Sequence, residues 1–214
     1  AVGALAADAF MPRWPAITPD GGTVVFSYQG DLWSVPAAGG QARRLTAHEA
    51  YDSHAVISPD GKTIAFSSNR YGDFDVYVMP LEGGAPKRLT HAASNDQPRA
   101  FSADGTEVYF ASRRLFDYPM STQIFRVPVA GGTPFRLLDV FADEIATADG
   151  KSFVYAEGRV AWGRLHYRGS YQRELYGWTP GSDPIRLTDN RGYDTNPMVG
   201  PGGRIYWLGD QDKS

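Results

Sequence analysis

The chain has 214 residues, 42% of them hydrophobic and 21% charged, with a formal net charge of −3 and no cysteine. This balance suits one large core or two small ones, and it argues against a general nucleic-acid binder, whose surface would show as a basic excess. The missing cysteines exclude disulfides and thiolate sites, and no apolar stretch reaches the roughly 20 residues of a membrane-spanning helix.

Residues 1–13 read as a lead-in. Ala1-Val2-Gly3-Ala4-Leu5-Ala6-Ala7-Asp8 sets small residues at Ala4 and Ala6, the Ala-x-Ala arrangement of a signal cleavage site. That predicts a periplasmic or secreted protein. A flexible Ala-rich segment is the other reading, and it leaves the cytoplasm open.

From Trp14 onward three markers recur in fixed order. A turn comes first: Pro19-Asp20-Gly21, Pro59-Asp60-Gly61, Ala103-Asp104-Gly105, Ala148-Asp149-Gly150 and the degenerate Pro201-Gly202-Gly203. Next stands a tight-hairpin signal, Gly39-Gly40, Gly83-Gly84 and Gly131-Gly132, with Pro180-Gly181-Ser182-Asp183 in the fourth copy. Last is Arg44-Leu45-Thr46, Arg88-Leu89-Thr90, Arg136-Leu137-Leu138 and Arg186-Leu187-Thr188. Copies lie roughly 40 to 50 residues apart, the period of a propeller blade.

Between the markers, β-branched and aromatic runs align as strands: Val24-Val25-Phe26, Ile64-Ala65-Phe66, Val108-Tyr109-Phe110 and Phe153-Val154-Tyr155, then Leu32-Trp33, Val76-Tyr77, Ile124-Phe125 and Leu175-Tyr176. Sheets apolar on both faces must be covered on both, which radial stacking achieves. The spacing therefore predicts an all-β propeller of four-stranded antiparallel blades, at about 14–48, 49–92, 93–139 and 140–190, plus a half-blade at 191–214. An open ring would leave strand edges exposed, so the pattern predicts part of a six-bladed ring in a longer protein. A four-bladed ring closed by the extra strands is the alternative.

The run Ile57-Ser58-Pro59-Asp60-Gly61-Lys62 through Phe66-Ser67-Ser68-Asn69-Arg70, then Asp75-Val76-Tyr77-Val78-Met79 and Arg88-Leu89-Thr90, resembles the WD-repeat-like blade of TolB and tricorn-type propellers. Trp162, Tyr167-Arg168-Gly169, Arg173 and Tyr176-Gly177-Trp178, with the opening Met11-Pro12-Arg13-Trp14-Pro15-Ala16-Ile17 and Gly30-Asp31-Leu32-Trp33, resemble the first, six-bladed propeller of tricorn-type serine peptidases. That resemblance implies a large peptidase whose propellers sit over a chamber and pass peptides, while a PDZ-like module and a C-terminal core cut them. The catalytic residues would belong to that core, so no catalytic residue is expected in this chain. The alternative is a TolB-like module that docks a protein partner and has no enzymatic role. A prolyl-oligopeptidase-type lid would need a downstream Gly-x-Ser-x-Gly.

The residues themselves offer no nucleophile elbow, zinc pair or phosphate loop. No metal and no cofactor is expected: His48-Glu49 begins like a zinc motif, but Asp52 stands where the second histidine would be. Asn69, Asp73 and Asp75 lack calcium-loop spacing and are assigned to an inter-strand loop. Two constellations stand out. Asp52, Asp96 and Asp194 precede the first strand of three blades at a fixed step. They form either an acidic channel rim for a cation or a peptide amino end, or caps on their own turns. The second lies in the lengthened loop of the fourth blade, which carries Arg159, Arg164, Arg168 and Arg173 among Trp162, His166, Tyr167 and Tyr171, with Arg114 from the third blade. These arginines would either hold peptide carboxylates or bridge neighbouring blades. Expected partners are peptides or a protein, together with the rest of a longer chain; the oligomeric state is left open.

Overall fold

The computed structural model describes residues 11–115, 122–158, 172–189 and 192–209. These residues form a partial β-propeller of antiparallel sheets. The first sheet holds β1 (Arg13–Ile17), β2 (Thr23–Tyr28), β3 (Asp31–Pro36) and β4 (Arg43–Arg44); the second holds β5 (Asp52–Ile57), β6 (Thr63–Tyr71), β7 (Asp73–Pro80) and β8 (Lys87–Arg88). The third holds β9 (Gln97–Phe101), β10 (Glu107–Ser112), β11 (Gln123–Pro128) and β12 (Phe135–Arg136); the fourth holds β13 (Ala142–Thr147), β14 (Phe153–Glu157), β15 (Glu174–Trp178) and β16 (Ile185–Arg186). β17 (Asp194–Val199) and β18 (Ile205–Gly209) make a hairpin joined by a 3₁₀ turn at Pro201–Gly203. The chain divides into two compact units, Ala1–Pro98 and Arg99–Ser214, and the division falls inside β9.

Each unit has its own apolar interior. In the first, Val25, Leu32, Ala55, Ile64, Phe66, Tyr77 and Met79 cluster between the first and second sheets. In the second, Tyr109, Ile124, Leu138, Ile145, Phe153 and Tyr155 fill the space between the third and fourth sheets, and Val154, Ala156 and Leu175 meet Val199 and Ile205 of the hairpin. Directly paired residues stack across the middle strands: Phe66 on Tyr77, Phe110 on Phe125 and Tyr155 on Tyr176, with ring centroids 5.8, 5.7 and 5.6 Å apart.

The Pro-Asp-Gly turn is fixed by its side chains. Asp60 Oδ1 accepts from Ser58 Oγ (2.6 Å) and Lys62 N (3.0 Å), while Ser58 Oγ accepts from Thr63 N (2.9 Å). Thr18 with Asp20 and Ser102 with Asp104 repeat the pattern. Hydrogen bonds donated by Ser102 and by Thr106 hold the Asp104 carboxyl down to about 2. Gly61 takes the left-handed φ of 69° that ends the turn.

The Arg-Leu-Thr marker builds a latch on the two-residue outer strand. In the second sheet Thr90 Oγ1 accepts from Val76 N (2.9 Å) and donates to Asp75 Oδ1 (3.3 Å), while Arg88 binds Asp75 (2.6 Å) and, through Nε, the Thr90 carbonyl (2.8 Å). Asp31, Arg44 and Thr46 do the same in the first sheet, and Glu174, Arg186 and Thr188 in the fourth. Asp75 therefore belongs to a buried latch and not to the inter-strand loop; burial pushes its carboxyl up, against the Arg88 charge. The third sheet lacks this latch. Gln123 and Leu138 occupy the acid and threonine positions, Leu138 joins the core, and Arg136 turns to Asp139 at 2.9 Å.

Two outcomes are expected. Thr90→Val, which leaves the Val76 N–H and Asp75 without their hydroxyl, should lower stability by about 1–3 kcal/mol in denaturant unfolding. Because the folded pKa of Asp104 lies below the unfolded one, its stabilisation is present above pH 4 and is lost as pH falls toward 2. Asp104→Asn should therefore flatten the acid limb of a stability-against-pH curve without steepening it elsewhere.

Candidate functional site

The first strand of each blade is the one that lines the axis of a propeller, and here it is irregular. The pairing register shifts between Arg13 and Ala16 in β1, Ser53 and Val56 in β5, Ala142 and Glu144 in β13, and Thr195 and Met198 in β17. Such bulges re-aim side chains. Three bulge residues have left-handed backbone: Trp14 at φ 49°, His54 at 53° and Asn196 at 52°. Asn reaches this region readily, whereas a non-glycine ring residue there costs about 1–3 kcal/mol. In the first unit β1 and β5 lie side by side, and the Trp14 and His54 rings stack at 4.3 Å and 30°. Tyr51 presents its edge to Trp14 at 6.3 Å, and the exposed Arg13 guanidinium lies 6.0 Å from the Trp14 centroid. Ser53 Oγ contacts His54 Nδ1 at 3.0 Å, but Ser53 is only 2% exposed and cannot meet a substrate as a nucleophile.

The three strand-leading aspartates are enclosed, each at 0% exposure. Their amides tie each first strand to the sheet before it: Asp52 N to Gly30 O (2.7 Å), Asp96 N to Phe74 O (2.7 Å) and Asp194 N to Arg173 O (3.0 Å). Asp52 Oδ2 accepts from Arg70 Nη2 at 2.8 Å, and Asp194 Oδ1 from Trp207 Nε1 at 3.0 Å. Asp96 Oδ1 accepts from Ser94 Oγ at 3.3 Å. Their carboxylates thus face protein groups, and of the three contacts named the Ser94 one is of the own-turn kind.

Of the five arginines expected to hold peptides, Arg159, Arg164 and Arg168 lie outside the described residues. Arg173 is 3% exposed and is held by Asp143 and by Glu144 (2.7 Å), the latter also accepting from Thr195 Oγ1 (3.0 Å) and Asn196 N (2.6 Å). Arg99 on β9 shares this cluster; burial lowers its guanidinium, opposed by Asp143 and Glu144. Arg173 is therefore a brace within the second unit. Arg114 lies over the Phe110 and Phe125 rings at 4.8 and 5.1 Å, with Nε on Ser112 Oγ. Arg70 repeats the arrangement over Phe66 and Tyr77. Each follows its aromatic residue by four positions, as Arg159 follows Tyr155 in sequence.

The three markers, the sheet order and the irregular first strands agree with what comparison finds: residues 9–214 match the model of the tricorn protease N-terminal β-propeller domain. The chain belongs to that family. A tricorn protease homolog from Streptomyces coelicolor is 44% identical over 60 residues, which are 28% of this chain and 6% of that protein. The tricorn protease structure superposes with a TM-score of 0.75 at 23% identity, covering 92% of this chain and 20% of its own. A TolB structure from Agrobacterium tumefaciens gives a TM-score of 0.78 at 21% identity over 95% and 72% of the two chains, which shows the shared fold. The chain thus spans a small part of the tricorn relatives it matches.

In this tricorn N-terminal propeller, sequence reasoning passed over Trp14, His54 and Arg113. The four-residue step that stacks Arg114 leaves its neighbour Arg113 exposed, and among the described residues Arg113 forms no ion pair. A groove of about 580 Å³ between the fourth sheet and the β17–β18 hairpin is lined mainly by Phe153, Trp178, Ile185, Leu187, Val199 and Ile205, with Asp149 and Asp183 also on its wall. Among the described residues no cluster could hold a metal ion.

Removing Arg70 would leave the fully enclosed Asp52 carboxylate without its cation. Arg70→Ala should cost about 3–5 kcal/mol in chemical denaturation, and the Arg70→Ala/Asp52→Ala double variant should recover part of that loss.

Proposed function

We propose that this chain is the non-catalytic propeller domain of a tricorn-like peptidase, and that it holds or admits peptides for a catalytic core carried elsewhere in a longer protein. The match of residues 9–214 to the tricorn N-terminal propeller carries this reading. Supporting it locally, the exposed Arg113, whose Nε donates to Thr122 Oγ1 at 3.4 Å, directly follows β10 and stands beside an arginine held over two aromatic rings, so a guanidinium with no ion pair among the described residues faces solvent where a peptide carboxylate could meet it. The loop from Arg159 to Arg173 adds Arg164 and Arg168 as further candidates on this view, whereas Arg173 and Arg114 serve as supports. The enclosed Asp52, Asp96 and Asp194 act as inter-sheet ties and not as a channel rim for ligands.

The purified chain should bind labelled acidic peptides without cleaving them. Binding should weaken as salt rises, because exposed charges are screened within about 8 Å at physiological ionic strength. Arg113→Glu should weaken binding about tenfold, the loss of one charge-assisted hydrogen bond, with the melting temperature unchanged. Failure of every peptide to bind, together with capture of a folded protein partner in the same assay, would favour the TolB-like docking alternative.

A further inference from the structure

Among the described residues of the first unit, Met11, Gln29, Trp14 and His54 are the non-glycine residues with left-handed φ, and the last two carry rings. Trp14 and His54 occupy equivalent bulges of neighbouring first strands, with φ of 49° and 53°. The bulge does not require them, since β17 makes the same bulge with Asn196 at 52°. Asn or Gly would satisfy the backbone more cheaply, so the rings are retained for what they contact. They contact each other, at 4.3 Å and 30°, and both stay half-buried, which leaves part of the stack open. The contact of Ser53 Oγ with Nδ1 steadies the imidazole, and Tyr51, 38% exposed, forms a wall edge-on to the indole. Over the indole, 6.0 Å from its centroid, lies the guanidinium of Arg13, exposed and without an ion pair among the described residues.

An aromatic stack with a solvent-exposed guanidinium held over its indole complements a ligand that joins a ring to a negative charge. We infer that Trp14, His54 and Arg13 form a recognition site for peptide segments in which an aromatic side chain has a carboxylate within one residue of it. The ligand ring lies on the Trp14–His54 stack and its carboxylate accepts from Arg13. The carboxylate has two sources, the C-terminus of a peptide ending in an aromatic residue or an Asp or Glu adjoining one. This inference rests on the peptide-holding reading above and gives that reading a sequence preference.

Fluorescence anisotropy on the full chain tests it with four labelled hexapeptides: one ending in Phe with a free carboxylate, the same peptide amidated, an amidated peptide with an internal Phe-Asp, and one ending in Ala with a free carboxylate. The Phe acid, the Phe-Asp peptide or both should bind about tenfold tighter than the Ala acid, and which of the two does so identifies the source of the charge. Trp14→Asn, which keeps a residue suited to the left-handed bulge, should erase the preference for Phe over Ala. Arg13→Gln should erase the preference for the acid over the amide while retaining part of the preference for Phe. If peptides bind but Trp14→Asn keeps the Phe preference, the inference falls and the peptide-holding reading stands; if no peptide binds, both fall. Should Trp14→Asn melt too low to assay, the exposed Arg13→Gln decides: an unchanged preference for the acid overturns the site.

Discussion

Every four-stranded sheet in this chain is apolar on both faces, and that single constraint organises the rest. Phe66, Val76 and Phe110 are fully enclosed although their neighbours along the strand, pointing to the opposite face, are enclosed as well. A sheet of this kind cannot present one side to water: in the first unit the first and second sheets cover one another, and in the second unit the third and fourth do. Stacking in turn brings polar strand ends under cover, where they need partners. The acid, arginine and threonine latches, the Asp52–Arg70 pair and the Arg173 cluster are three answers to that need. They fix which strand starts against which, and the functional side chains inherit their positions from them.

The same constraint explains why Arg114 and Arg173, both singled out in sequence, are held by rings and carboxylates. Arginine is well suited to bridging because its planar head can stack on rings while its fork meets a carboxylate. Arg70 does both at once. Arg113 and Arg13 stay exposed, the first with its Nε on Thr122 Oγ1 and the second over the Trp14 ring.

The architecture was legible in sequence because its turns are chemically explicit. Ser58-Pro59-Asp60-Gly61 announces its hydrogen bonds through residue type, and the period follows from repetition. The latch is half legible: Arg88-Leu89-Thr90 stands out, but Asp75, its buried acid, falls outside the aligned strand, which begins at Val76 where β7 begins three residues earlier at Asp73. Arg173 was read with its sequence neighbours as part of a basic loop, although its partner Asp143 lies 30 residues away, and charge along a chain carries no information about burial. Trp14 and His54 escaped notice for a physical reason. Left-handed backbone is normally flagged by Gly or Asn, and here the flag is missing because rings occupy the strained positions.

The third sheet carries Gln123 and Leu138 where its neighbours in sequence carry an acid and a threonine, so β12 is held by main-chain pairing to β11 and by the apolar anchor of Leu138. Stability is consequently uneven along the chain. The threonine hydroxyls hold the amides of Leu32, Val76 and Leu175, so opening of β4, β8 or β16 breaks a side-chain network as well as main-chain pairing, a cost that β12, with Leu138 in the threonine position, does not carry. The outer edge of that one blade is the place where the fold can breathe without coming apart.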